Sequence, residues 1–190
     1  MTSIQTRPSE LALPVRTLKA LREALAVEVG EGAAARALRE AGAAAGETML
    51  RTFAATVGAG GEEREIRSAI ASLPDNRFWS ALSAFFASRG WGRITFTPLH
   101  EGVGALEAPD WIEADPDRGS ARPSCFFTTG MVAGLLGRVT GEEVAVLEVE
   151  CRSRGDARCR HLFGAPEALE TLYASIATGQ DVDASLAALT

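Results

Sequence analysis

The chain holds three cysteines, Cys125, Cys151 and Cys159, and all of them fall within residues 125–159 of its 190 residues. Thiolate sulfur binds zinc and other soft metals, and an odd number of thiols favours a metal site over a disulfide framework. Cys151 and Cys159 lie symmetrically about Gly155. A hairpin turning there sets them roughly opposite each other, and opposed strand residues have Cα atoms about 4.5–5.5 Å apart. Cys125 falls in the first turn of an expected helix, where free N–H groups and the macrodipole favour a thiolate. For a fourth ligand, His161 shares a strand face with Cys159 and gives a Cys₃His set. Glu148 is three residues from Cys151, which on a regular strand points the two to opposite faces, so it needs a bulge. Spacing alone prefers His161. A Cys151–Cys159 disulfide, three inert buried thiols and a reactive Cys125 stay open as alternatives.

The elements that must position these residues change character along the chain. Residues 1–13 read as a flexible polar tail. After Pro14, Leu18, Leu21 and Leu25 keep helical spacing, and an alanine-rich helix follows with Leu38, Ala41, Ala45, Met49 and Phe53 on one face. A charged helix is expected over 62–72. The turn Pro74-Asp75-Asn76 offers a cap to a helix with Phe78, Leu82 and Phe85 on one face. Strand patterns cover 93–100 and 106–114, and a polar loop runs over 115–123. Ser124 is placed to cap a helix to about 139, striped by Phe127, Met131 and Leu135. Residues 143–152 and 158–163 form the hairpin, and a last helix covers 166–178. The expected architecture is α+β, an antiparallel sheet with helices packed on it. It forms a single domain over 14–190, with a helical N-terminal half and a metal-binding part at about 93–178.

Hydrophobic residues make up 46% and charged residues 23% of the chain, an ordinary globular balance. A net charge of −6 argues against non-specific binding to nucleic acid or an anionic membrane. No run approaches the roughly 18–20 apolar residues of a membrane helix, and the N-terminus has no apolar signal-peptide core, so a cytoplasmic location is expected. There is no G-x-G-x-x-G after a strand, no P-loop and no identifiable DNA-binding helix-turn-helix. A reductase working alone or a complete ATP-dependent activator is therefore not expected.

The run Cys125-Phe-Phe-Thr-Thr-Gly-Met-Val-Ala-Gly-Leu-Leu, the strand 143–150 and Cys151-Arg-Ser-Arg-Gly-Asp-Ala-Arg-Cys159-Arg together resemble the 4-vinyl reductase domain family. The likeness is strong over about 123–164. That family includes an accessory protein of bacteriochlorophyll synthesis and the N-terminal sensor domain of phenol-responsive activators. It is akin to subunits of the TRAPP tethering complex, which implies the ligand-binding fold of nitric-oxide signalling and Golgi transport. Its aromatic-sensing members bind zinc through a Cys, a Glu and two further Cys. Here Cys125, 22 residues, Glu148, two residues, Cys151, seven residues and Cys159 repeat that spacing. The resemblance thus moves the fourth ligand from His161 to Glu148 and implies a closed, structural zinc. It also implies a small hydrophobic or aromatic ligand in an apolar pocket, for which Phe96, His100, Trp111, Phe126, Phe127, Met131 and Tyr173 are the candidates. The functions implied are a non-catalytic sensor or carrier, an accessory factor in tetrapyrrole vinyl reduction, or a scaffold. A bacterial homodimer is the expected assembly. The alanine-rich helix offers a dimer face, although packing within one chain explains its small residues as well.

Overall fold

The computed structural model of the protein describes residues 13–189, so the expected tail lies outside the described residues except for Leu13. The elements run α1 (Arg16–Val29), α2 (Glu31–Thr56), α3 (Glu63–Ala71), α4 (Asp75–Ser88), β1 (Thr95–His100) and β2 (Val103–Ala108). They continue with α5 (Phe126–Thr140), β3 (Ala145–Glu150), β4 (Cys159–Gly164), α6 (Pro166–Ala177) and α7 (Val182–Ala187). The four strands form one antiparallel sheet in the order β1-β2-β4-β3. This is the α+β arrangement expected from the sequence. No described helix is long and apolar enough to cross a membrane.

The second strand starts three residues earlier than the alternation suggested, because Gly102 at φ 77° reverses the chain within a tight turn. A short helix, α7, lies beyond the last one expected. Asp181 caps it by accepting the N–H groups of Asp183 and Ala184. Two expected caps are corrected. Pro74 rather than a polar side chain stands at the start of α4, and Cys125 rather than Ser124 stands at the N-cap of α5.

Alternation along the strands sorts the core into two layers. Leu106, Ala108, Cys159 and the partly buried Phe96 and Phe163 join the layer that holds Phe53, Phe85, Met131 and Leu135 of the helices. Val103, Ala105 and Leu162 join Leu169, Leu172 and Leu186 of α6 and α7 in the second layer. The sheet is thus covered on both sides, and α5 crosses its inner face.

Helix α2 meets α5 backbone to backbone. A Cβ on Gly42 would fall 2.1 Å from the Phe127 carbonyl oxygen, and one on Gly46 would fall 2.1 Å from that of Met131. From the other side, a Cβ on Gly130 would fall 1.9 Å from the Arg39 oxygen. The buried seam of α2 therefore runs Leu38, Gly42, Gly46, Leu50 and Phe53. It does not run through Ala41, which is exposed. Glycines carry no hydrophobic signal, so apolar periodicity set the seam partly on the wrong residues. Leu21 of α1 is likewise 46% exposed, and Arg22 takes the buried place beside it, 3.8 Å from Asp115.

Candidate metal centre

Four side chains meet where the start of α5 reaches the β3–β4 hairpin. Cys125 is the N-cap of α5, Cys159 opens β4, and Glu148 and Cys151 come from the end of β3. Their ligand atoms all lie within 4.8 Å of one another, and the three cysteines are buried. Glu148 and Cys151 share this face because β3 is bulged. Glu148 pairs with His161 and Glu150 with Arg160, so Val149 is the extra residue. Val149 packs into the outer layer while Glu150 reaches Arg158 and Arg160, and the phase is reset for Cys151. The hairpin then turns through Arg152–Arg154 and Gly155, whose φ of 99° is open to glycine. Asp156 accepts the backbone N–H of Cys151 at 2.7 Å and ties the loop to that ligand.

The spacing of the sulfurs suits a metal and not a disulfide. Cys125 Sγ lies 3.8 Å from both Cys151 Sγ and Cys159 Sγ. Two Zn–S bonds of about 2.3 Å at the tetrahedral angle put their sulfurs about 3.8 Å apart, whereas a disulfide is about 2.05 Å. All three cysteines are free thiols, which removes the disulfide alternative. Glu148 Oε2 accepts the Cys125 N–H at 2.8 Å, while Oε1 is buried without a partner. A carboxylate oxygen in that position can receive a cation.

The protonation pattern is that of ligands waiting for positive charge. Burial, then the neighbouring Cys151 charge, push Glu148 up to about 9. Contacts with Cys151 and Cys159, then burial, hold the Cys125 thiol well above its ordinary range. Cys159 is pushed up to about 12; its contact with Cys125 pulls the other way, but Cys151 and burial prevail. Cys151 moves down, because the thiols of Cys125 and Cys159 both donate to it. The group thus holds one negative charge where four ionised ligands would sit around a metal.

His161 stands next to this group but is not one of the four. Its Nε2 lies 3.7 Å from Glu148 Oε1, and burial pushes its pKa down to about 4, leaving a neutral ring. The same ring lines an enclosed void of about 10 Å³, together with Phe86, Leu106, Trp111, Thr128 and Val132. That is room for about one water. Trp111 Nε1 donates to Thr128 Oγ1 at 2.6 Å, and Thr128 donates in turn to Glu113. Glu113 also accepts the N–H groups of Phe127 and Thr128 at 2.9 and 2.7 Å, satisfying the first turn of α5. No local spacing pointed to Glu113; it is 12 residues before Cys125 and meets the helix only through the fold. Ser124, expected as a cap, instead approaches Cys151 Sγ at 4.0 Å.

The other pocket candidates are dispersed. Met131 is fully buried in the core. Phe127 stacks on Trp91 with ring centres 5.8 Å apart, and Phe126 lies under the Arg39 guanidinium. Phe96 stacks on Trp79 at 4.1 Å, beside an open groove of about 830 Å³ between α4 and β1. His100 and Tyr173 are exposed, with His100 Nδ1 3.0 Å from the Glu101 carbonyl oxygen. Ile94 lines both the groove and the void.

Residues 113–165 match the vinyl-4-reductase (4VR) domain. This segment runs from Glu113 through α5 and the hairpin, and so contains all four clustered ligands and His161. The likeness to that family extends to the whole fold. The crystal structure of the phenol-responsive sensory domain of the transcription activator PoxR with phenol superposes with a TM-score of 0.62 at 21% identity, covering 90% of this chain and 84% of that one. A vinyl-4-reductase family protein from Methanocaldococcus jannaschii gives a TM-score of 0.51 at 14% identity, covering 82% of this chain and 83% of that one. No curated protein matches the chain. The fold of this vinyl-4-reductase-like chain is therefore shared with a ligand-responsive sensory domain.

Proposed function

We propose that the chain is a zinc-stapled, non-catalytic sensor or carrier domain for a small hydrophobic or aromatic molecule. The observation that carries this reading is the juxtaposition of a buried Cys₃Glu cluster and an enclosed apolar void that share the His161 ring as a wall. Zinc is the metal that three thiolates and a carboxylate suit best, since it is redox-silent and takes closed tetrahedral sites. Cys125, Glu148, Cys151 and Cys159 would hold it, and with four protein ligands it would fix α5 to the hairpin. The likeness to the PoxR sensory domain supports a ligand in the interior. With about 10 Å³ free, an aromatic ring needs the void to widen. The groove between α4 and β1 is the natural approach, with Ile94 as the partition.

Among the described residues, the exposed large apolar side chains are Leu13, Val15, Leu21, Val27, Val29 and Tyr173. Five of these six belong to α1 or the residues just before it, and that face supports a homodimer as the route by which ligand state is passed on. Native mass spectrometry of the purified protein tests the whole reading in one measurement. We expect about one zinc per chain and a mass increment from a small apolar molecule, either co-purified or added as a phenol or alkylbenzene. Protein that stays metal-free in added zinc refutes the staple. Protein that takes up zinc but none of the apolar molecules refutes the sensor.

A further inference from the structure

Glu148 Oε1 and His161 Nε2 are both buried, and both lack a hydrogen-bond partner. They belong to residues directly paired across β3 and β4, and they face each other at 3.7 Å. A closure of about 0.8 Å makes this an ordinary N–H···O bond. We infer that His161 is the positioning residue of Glu148, its Nε2–H holding the carboxylate in the one orientation that presents a lone pair to the metal.

The stereochemistry leaves room for this role. A carboxylate offers about four lone-pair directions. The Cys125 N–H takes one on Oε2, and the His161 Nε2–H takes one on Oε1. The rest face the sulfurs. Because Glu148 sits directly before the bulge, its backbone alone does not settle where its long side chain points. Two donors on opposite oxygens do. His161 is held in turn by the sheet: Leu106 is its partner on β2, and Cys159 lies two residues before it on the same face. The sequence offered His161 as a ligand in competition with Glu148. The geometry points instead to cooperation between them. Donors of this outer kind change metal affinity by about tenfold to a hundredfold.

The inference rests on the metal reading above, and cobalt titration separates the two. Co²⁺ replaces zinc in thiolate sites and reports them by sulfur-to-cobalt charge transfer and by its ligand-field bands. Affinities of wild type, His161→Phe, His161→Leu and His161→Gln are measured by competition with a chelator, after circular dichroism has shown each variant folded. We expect the Phe variant to bind about tenfold to a hundredfold more weakly, with sulfur charge transfer retained and the ligand-field bands shifted. If Phe does not fold, Leu makes the same comparison. Gln, which keeps an N–H donor, is expected to recover most of the loss. In a Glu148→Gln background the Phe substitution should have no further effect. A Phe or Leu variant within about twofold of wild type, or a Gln variant as weak as Phe, overturns the role of His161 while leaving the metal site standing. A wild type without charge transfer overturns both.

Discussion

Replacing Gly130 with alanine puts a methyl group where the Arg39 carbonyl oxygen of α2 already lies, 1.9 Å from the new Cβ. Carbon and oxygen relax at about 3.3 Å, so the two helices must part locally by about 1.4 Å. The obstacle is backbone inside a 26-residue helix and cannot swing aside as a side chain would. Overpacking of this kind costs about 3 kcal/mol at the upper end, and the better helix propensity of alanine returns about 1 kcal/mol. The net expectation is a loss of about 2 kcal/mol, or a fall in melting temperature of about 4–8 °C for a domain of this size. Gly32 provides the control on α2, since its nearest obstacle would be a flexible arginine end at 3.9 Å. Gly32→Ala should be neutral or stabilising by up to about 1 kcal/mol. Urea unfolding of both variants in the same metal state decides the matter. A Gly130→Ala protein as stable as wild type would refute the backbone contact between α2 and α5, and with it the explanation of the small residues as packing within the chain.

Cys151→Ser should abolish stoichiometric zinc and lower stability by about 4 kcal/mol or more when free zinc exceeds the wild-type Kd about a thousandfold, read by urea unfolding with and without chelator. A metal-free wild type that unfolds at the same urea concentration as the zinc form would count against a structural role. Zinc affinity should fall steeply on acidification, because Glu148, held up to about 9, and Cys159, held up to about 12, must each release a proton to the solvent. Calorimetry in buffers of different ionisation enthalpy should find more than one proton released per metal. Glu113→Ala strips the first turn of α5 of its acceptor and should cost about 1–3 kcal/mol. Burial raises Glu113 above its unfolded value of 4.5 despite its hydrogen bonds, so it stabilises the fold most below that pH and progressively less as pH rises toward its folded value. Glu113→Gln should flatten that decline. Leu21→Glu with Val27→Glu should shift a dimer to monomer by light scattering at micromolar concentration, and a wild type already monomeric there would remove the dimer.

How much of this was legible beforehand follows from which forces are local. The hairpin, its turn at Gly155 and the helix after Cys125 are written in short-range patterns, and the structure has them close to where the sequence put them. The bulge at Val149 was inferred only as a condition for Glu148 to act, because the residue itself carries no bulge signal. The seam of α2 was misplaced because its contacts are made by glycines, which no apolar periodicity marks. Glu113, Asp156 and Arg22 escaped notice for a third reason. Each is a charged residue whose meaning depends on an element distant in sequence or on a backbone group, and charge in a sequence reads first as solvent. For the pocket candidates, aromatic type alone was the guide. It gathered rings from the void, the α4–β1 groove and the exposed surface without distinguishing them.

The cluster and the void belong to one device because of what burial does to acids. Three thiols and a carboxylic acid packed within 4.8 Å cannot ionise together in the absence of a cation. Protonated, they give weak and mutually competing hydrogen bonds at the point where α5, β3 and β4 must be held in register. A divalent ion replaces that competition with four directed bonds, and it fixes Cys125, whose helix also carries Thr128 and Val132 into the void wall. Any molecule that widens the void must then push against α5 on one side and the β2–β4 pair on the other, with the far end of both pinned. Displacement is thereby steered away from the metal, toward the α4–β1 groove and the helices beyond it. A sensor needs such an asymmetry: one end of the pocket wall fixed and the other free to move. The expected signature is hydrogen exchange that changes with ligand in α4 and β1 but not at the Cys151–Cys159 hairpin. Equal changes in both regions would show that the staple does not divide the domain in this way.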